Sequence, residues 1–467
     1  HDVKLANNDY LWAQFNIILM KKILATAILA FSFNASNAQE INFIEYDLDN
    51  GLHVILHQDN TAPVITTAVS YHVGSKDEEE GRTGFAHFFE HLLFEGTKNI
   101  KGGEWFKIVE ANGGSNNAYT SDDQTYYYEV FPSNKLELSL WMESERMLHP
   151  IIRQEDRINL QEGVVKEEKN FRLDNSPYGY LLYSVRSNLY RSHPYGRLTI
   201  GLDKDLEAAN LEDFKKFNNK YHKPNNATLV VAGDIDIDKT TELVKKYFGE
   251  IPGSEDVVRN LPKEDPIEET IKAKWYDPNI QVPALLVGYI TPKMNSRESR
   301  ILNLLSTYLS DGKSSVLYKK MVDDKKMALA VQTVNLAQED YGTYLMLALP
   351  LGEVTLEDLL SEIDVEIEKD KKFNFDLPST HNSFVYLIEG EIKIGDKNHD
   401  KVNGSTLIIL TQGEKLKVKG VTKSKFLLIS GKPIGEPIAR GGPFVMNTKK
   451  EILKAVQDYQ NGTFVKQ

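Results

Sequence analysis

The chain has no cysteine in 467 residues, which excludes disulfide cross-links, thiolate-ligated zinc and a thiol nucleophile together. The redox compartment stays open, because a cysteine-free chain suits either. A basic excess is also missing. With 67 acidic against 55 basic residues the formal net charge is −12, which argues against nucleic acid as a partner and mildly favours basic peptides. The apolar stretch Ile23–Phe33 falls short of the roughly 20 residues that a stable membrane span needs. The other proportions, 41% hydrophobic and 26% charged, are those of ordinary globular protein, and the length allows two to four domains with sizeable cores.

That short apolar stretch has a specific setting. Met20-Lys-Lys22 gives it a basic start, and Ser36-Asn-Ala38 follows with small residues at the −3 and −1 positions of a cleavage site. Residues 1–38 therefore read as an upstream extension plus a bacterial signal peptide from Met20, with a mature chain from near Gln39. The expected location is exported, periplasmic or extracellular. A buried N-terminal helix is the ordinary alternative.

What the sequence does have is Phe85-Ala-His-Phe-Phe-Glu-His-Leu-Leu-Phe94, an H-x-x-E-H pattern inside an apolar helical stretch. At about 100° per residue, His87 and His91 share one helix face, one turn apart, and Glu90 leans over the same side. Two imidazoles so placed can reach one ion, and the carboxylate beside them can take a proton from water. A lone histidine on an apolar helix is more often a core residue. Here three polar side chains share a face, and burying them unpartnered costs roughly 1–3 kcal/mol per neutral group and more for a charge. A divalent cation satisfies all three at once, given a third ligand.

Downstream, the chain resembles the pitrilysin/insulinase family of zinc peptidases, whose pattern is H-x-x-E-H followed by a glutamate on a second helix. The segment Gln161-Glu-Gly-Val-Val-Lys-Glu-Glu168-Lys169 matches that helix, and Glu168, 77 residues beyond His91, falls at the ligand position. Its neighbour Glu167 is turned about 100° away. Further matching pieces are Gly84–Thr97, Asn117-Ala-Tyr-Thr120, Thr125–Tyr128, Ser176–Gly179, His193–Gly196 and Tyr221–Ala227. The resemblance runs from about Ile41 to about Lys369. It implies one Zn2+ per chain held by His87, His91 and Glu168, with Glu90 as general base. It also implies a substrate-binding strand edge at Asn117, Ala118, Tyr119 and Thr120, where an extended peptide adds by main-chain hydrogen bonds.

An internal repeat accompanies the motif. In the first copy, Val54–Val73 alternates like a strand pair, Gly84–Glu95 is a helix, Asp123–Pro132 a strand and Lys135–Met147 a second helix. Thr228–Asp234 is a later strand and Lys239–Phe248 a helix. In the second copy, Val282–Thr291, Ser296–Leu309, Asp340–Pro350 and Leu356–Glu368 repeat strand, helix, strand and helix. The Pro-, Gly- and acid-rich Ile251–Ile271 reads as a linker. The second copy stops roughly a hundred residues short of the first. From about Phe373 short strands punctuated by Gly and Asn take over, arguing a β-barrel or sandwich.

This last segment resembles the C-terminal barrel of pirin, a cupin protein. The resemblance rests on Phe384–Gly390, Ser430–Ile438, Gly442–Thr448, Glu451-Ile452 and Asp458-Tyr-Gln460. His381 and His399 are isolated and read as surface residues, so the segment receives no chemistry. The expected fold is α+β: a catalytic zinc peptidase domain at 39–252, a truncated second peptidase-like domain at 265–370 and an all-β cupin-like barrel at 373–467. A peptidase fragment joined to a pirin tail near Lys371 is the implied origin.

The function expected is that of a zinc-dependent endopeptidase acting on peptides or small proteins. Two other classes stay open: a non-catalytic peptidase-family partner subunit, and a cupin-type binding or dioxygenase protein. Many family members carry, in the second half, an Arg and a Tyr that hold the substrate carbonyl. Val322 and Leu329 stand where that pair is expected, and neither can donate a hydrogen bond. The expected partners are therefore a peptide substrate and a second peptidase-family subunit or a second copy, with no nucleic acid and no stable membrane span.

Overall fold

The computed structural model describes residues 41–150 and 155–363. Beyond these it describes 365–367, 372–376, 382–395, 401–404, 406–410, 413–431, 439–441, 444–446 and Lys454. The segment read as a signal peptide, His381 and His399 lie outside the described residues. Two compact units emerge, one made of the chain up to Glu168 with Leu198–Asn260, the other of Lys169–Arg197 with everything from Leu261.

Among the described residues the first unit has six strands: β1 (Ile44–Asp47), β2 (His53–Gln58), β3 (Val64–Tyr71), β4 (Ser115–Thr120), β5 (Thr125–Pro132) and β6 (Ala227–Gly233). Their order is β1-β2-β6-β3-β5-β4, antiparallel except for the β2–β6 pair. Val54–Val73 does hold two strands, but they are not partners, because β6 lies between them. Alternation tells that a segment is a strand and which face is buried; it does not tell which strand pairs with which.

Among the described residues four α-helices of this unit come before the second unit's first: α1 (Phe85–Leu92), α2 (Trp105–Ala111), α3 (Leu136–Leu148) and α4 (Glu155–Lys169). Helix α5 (Leu181–Leu189) belongs to the second unit, and α6 (Asp203–Glu207), α7 (Leu211–Tyr221) and α8 (Ile237–Phe248) return to the first. Along β5 the residues alternate buried and half-buried. The buried set, Thr125, Tyr127, Glu129 and Phe131, faces α1 and α3, as the period of two requires. Strand β4 closes the sheet with an open edge.

In the second unit β7 (Leu285–Thr291), β9 (Gly342–Pro350) and β8 (Ala328–Ala337) form a three-stranded antiparallel sheet in that order. Sequence patterning missed β8, whose apolar positions are interrupted by Gln332, Thr333 and Asn335. Gly288 lets α5 approach β7: a Cβ there would stand 2.3 Å from the Val185 side chain, so glycine is required by close packing rather than by its φ. Helices α9 (Arg297–Ser310) and α10 (Leu356–Ile363) pack on this sheet. Among the described residues this sheet has three strands, against six in the sheet of the first unit.

One expectation fails here. The helix read over Leu356–Glu368 ends at Ile363, and Val365–Ile367 is instead a strand, β10, paired antiparallel with Ser424–Phe426. Two β-branched residues at alternate positions suit a sheet, and the neighbouring strand overrides the helical period.

Strand β10 opens the cupin-like region. It joins β17 (Ser424–Gly431), β12 (Asn382–Glu389) and β15 (Thr406–Ile409) in one sheet. The other holds β11 (Lys372–Asp376), β16 (Lys415–Gly420), β13 (Glu391–Ile394) and β14 (Lys401–Asn403). Val385, Leu387, Ile392, Leu416, Val418 and Phe426 fill the interior they share. The opposite face of β12, Phe384, Tyr386 and Ile388, packs into the α9–α10–β9 core beside Leu302, Tyr344 and Met346. Both faces of one strand are therefore buried, each in a different core. Tyr386→Ala should cost about 3 kcal/mol of stability and lower the denaturation midpoint of the second unit as a whole, measured by urea titration. Loss confined to the cupin-like region would show that the packing carries no energy.

Candidate metal centre

The helix α1 exists because its surroundings supply what its short sequence does not. Gly84 at its N-cap has φ +90°, in the left-handed region that favours glycine. A Cβ there would meet Ile200 O at 2.6 Å. No side chain in the first turn is acidic, yet buried Glu78 accepts the Gly84 and Ala86 N–H groups, both at 2.9 Å. A carboxylate at this position satisfies orphan donors and suits the helix dipole. Phe85 stacks on Phe214 with centroids 5.0 Å apart, and Phe89 on Phe217 at 5.0 Å. This aromatic ridge takes one face of α1; buried His87 and half-buried His91 lie with their rings 4.8 Å apart.

Helix α4 supplies Glu168. Its Oε2 lies 3.0 Å from His91 Nε2 and 3.6 Å from His87 Nε2, and the three ligand atoms all lie within 4.8 Å of one another. Glu167, the rival from the sequence, is exposed and is not among the converging groups. Zinc bonds of about 2.0–2.2 Å in a tetrahedron put neighbouring donors about 3.4 Å apart, which the two Glu168–histidine separations of 3.0 and 3.6 Å bracket, and two imidazoles with a carboxylate are a donor set that zinc takes. Among the described residues no other group of His, Asp and Glu converges in this way.

Glu90, on the same face as the imidazoles, accepts a hydrogen bond from Thr120 Oγ1 at 2.6 Å. The sequence places Thr120 in a strand edge expected to take substrate; its bond to Glu90 is a role that sequence reasoning missed. Asn117–Thr120 lie in β4, the last strand in the order of the six-stranded sheet. Asn117 and Tyr119 are exposed, whereas Ala118 and Thr120 are half-buried. The Asn117 side chain accepts from the Ala118 N–H at 2.9 Å. Tyr119 stacks on Tyr126 at 5.2 Å.

Behind α1 lies a buried charged core. Arg146 donates to the Leu93 carbonyl at 3.3 Å, and Tyr127 OH donates to the Phe89 carbonyl at 3.1 Å. The guanidinium lies 4.1 Å from the Trp105 ring centroid and 4.3 Å from that of Tyr127. It is bonded to Glu143 through two nitrogens, both at 3.1 Å. Glu129, which accepts from Trp105 Nε1 at 3.0 Å, is pushed up to about 8 by burial first and by the Glu143 charge second. A cation at the C-terminal end of α1 complements the helix dipole. His222 also sits here, stacked on Phe89 at 5.0 Å, and burial pushes its pKa down to about 3, which marks a neutral core histidine. The Glu143–Arg146 spacing was visible in the sequence; its burial was not.

Comparison with known proteins decides the family. A curated zinc protease of Helicobacter pylori, PqqE, is 35% identical over 328 residues, covering 70% of this chain and 74% of the relative. The chain belongs to the insulinase family, peptidase family M16. Residues 53–202 match that family's description and 208–376 match the one described as peptidase M16 inactive domain. Residues 362–465 match the pirin C-terminal cupin domain. An uncharacterized zinc protease of Rickettsia felis is 26% identical, covering 70% of this chain and 78% of the relative. Among solved structures, a protease from Helicobacter pylori superposes with a TM-score of 0.66 at 34% identity, covering 69% of this chain and 78% of that one. The first half of the periplasmic protease PqqL from Escherichia coli shares the fold, with a TM-score of 0.54 at 22% identity, covering 68% and 70%.

Proposed function

We propose that this insulinase-family chain is a zinc-dependent endopeptidase, with His87, His91 and Glu168 holding one zinc ion and Glu90 acting as general base. The observation that carries this reading is the convergence of three ligand atoms, from helices far apart in sequence, to within 4.8 Å. A bound zinc supplies Lewis acidity, lowering the pKa of water to about 7 and polarising a carbonyl oxygen. Glu90 takes the proton of the attacking water as its oxygen bonds to the peptide carbon. It returns that proton to the leaving nitrogen as the C–N bond breaks. Thr120, donating to Oε2 of Glu90, holds the carboxylate in place. The open edge of β4 pairs with an extended peptide through main-chain groups, and the Asn117 side chain releases the Ala118 N–H to it.

Chelation should abolish peptide cleavage and added zinc should restore it. A cleavage rate unmoved by chelator contradicts the reading. Thr120→Val, which keeps the shape and β-branching, should lower kcat about 10- to 100-fold with KM little changed. Equal losses in kcat and affinity would instead assign Thr120 to substrate.

Two observations favour a need for a partner. Residues 208–376 match the inactive domain of the family. Val322, packed against the second unit's core, and Leu329, 49% exposed, offer no donor where one is typically worth about 3–4 kcal/mol. We therefore read the isolated chain as weakly active, reaching full activity with a second peptidase-family subunit or a second copy. Cleavage assays under light scattering test this, and robust turnover by the monomer contradicts it. The expected site of action is outside the cytoplasm. Among the described residues no helix is long and apolar enough to cross a membrane.

A further inference from the structure

The third ligand sits on a helix with little apolar packing. Among the described residues of α4 that belong to the first unit, Ile158, Gln161 and Val165 are buried, while Leu160 and Val164 are 51% and 42% exposed. Two apolar side chains hold such a helix against its neighbours but set its rotation and axial position loosely. The polar contacts are more specific. Arg157 NH1 donates to Glu95 Oε2 at 3.1 Å, and Gln161 Nε2 donates to Glu95 Oε1 at 2.5 Å. Arg157, Gln161 and Glu168 are spaced four and seven residues apart, so they share one face of α4.

Glu95 is fixed equally well on the other side. It follows His91 by four residues, in a turn tied to α1 by Phe94 N–H to His91 O at 3.1 Å and Glu95 N–H to Leu92 O at 3.0 Å. The chain just beyond is held by α3: Thr97 and Asn99 both donate to Glu145, at 2.9 Å each. The Glu95 side chain is only 13% exposed, which shields its ion pair from the screening that weakens surface pairs.

We infer that Glu95 is a positioning residue for the metal centre, joining the helix that carries His87 and His91 to the helix that carries Glu168. One carboxylate accepts from two side chains of α4, which fixes both the rotation of that helix and its shift along its axis. Glu168 is thereby delivered to the imidazoles two turns further on. This inference rests on the reading of Glu168 as the third ligand.

The test is zinc affinity, measured by competition with a chromophoric chelator, beside thermal unfolding of the metal-free chain. Glu95→Ala should weaken zinc binding about 10- to 100-fold while the metal-free chain stays folded by circular dichroism. Arg157→Glu should weaken it similarly. The double variant Glu95→Arg with Arg157→Glu restores the ion pair with its signs exchanged and should recover most of the affinity. Wild-type affinity in Glu95→Ala, or no recovery in the double variant, overturns the inference. If Glu95→Ala fails to fold, the comparison of Arg157→Glu with the double variant decides. A wild-type chain that binds no zinc is a separate result, and it defeats the metal-centre reading itself.

Discussion

Glu90→Gln is expected to keep its zinc and to lose peptide cleavage by about 100- to 10,000-fold, the usual contribution of a positioned general base. The amide occupies the same volume and can still accept the Thr120 hydroxyl, which now stands 2.6 Å from Oε2. It cannot take up a proton. Binding and fold are thus preserved while the one step that needs a base is removed, so the loss falls on kcat. Zinc content and initial rates on a quenched fluorescent peptide, measured on the same preparation, check this. Loss of the metal together with the activity would make Glu90 a ligand and defeat the proposed mechanism.

The second large effect separates two adjacent residues. Glu168→Gln should lose most of its zinc and all measurable activity, because it replaces an anionic donor within 3.0 Å of His91 and 3.6 Å of His87 by a neutral amide. Glu167→Gln, at an exposed position, should change neither by more than about twofold, as surface substitutions generally do. Equilibrium dialysis against buffered zinc reads the difference directly. Equal losses in the two variants would mean that the third ligand has been placed wrongly.

How much of this was legible beforehand depends on the range of the interaction. The α1 motif is local: period, spacing and residue type within ten positions put His87, Glu90 and His91 on one face. The choice of Glu168 over Glu167 needed the family resemblance, because helix phase alone says that they diverge, not which one faces the histidines. The contacts that order the site are non-local and escaped. Thr120 on Glu90 spans 30 residues, Arg157 on Glu95 spans 62, and Arg146 on the Leu93 carbonyl spans 53. No periodicity within one segment records such pairings. The same limit explains β6 intruding between β2 and β3, and the helix that ends at Ile363 because β17 offers Val365–Ile367 a partner. The cupin-like region was recognisable as strands from its turn residues. The two-faced burial of β12 was not, because Phe384, Tyr386 and Ile388 read simply as one side of an apolar run.

The central claim is that His87, His91 and Glu168 form a zinc site. Zinc content of the purified full chain, determined by plasma mass spectrometry after dialysis against metal-free buffer, tests it most directly. The account predicts close to one zinc per chain, falling to near zero in His91→Ala. A wild-type chain that retains no zinc, or a His91→Ala chain that retains it undiminished, would contradict the account.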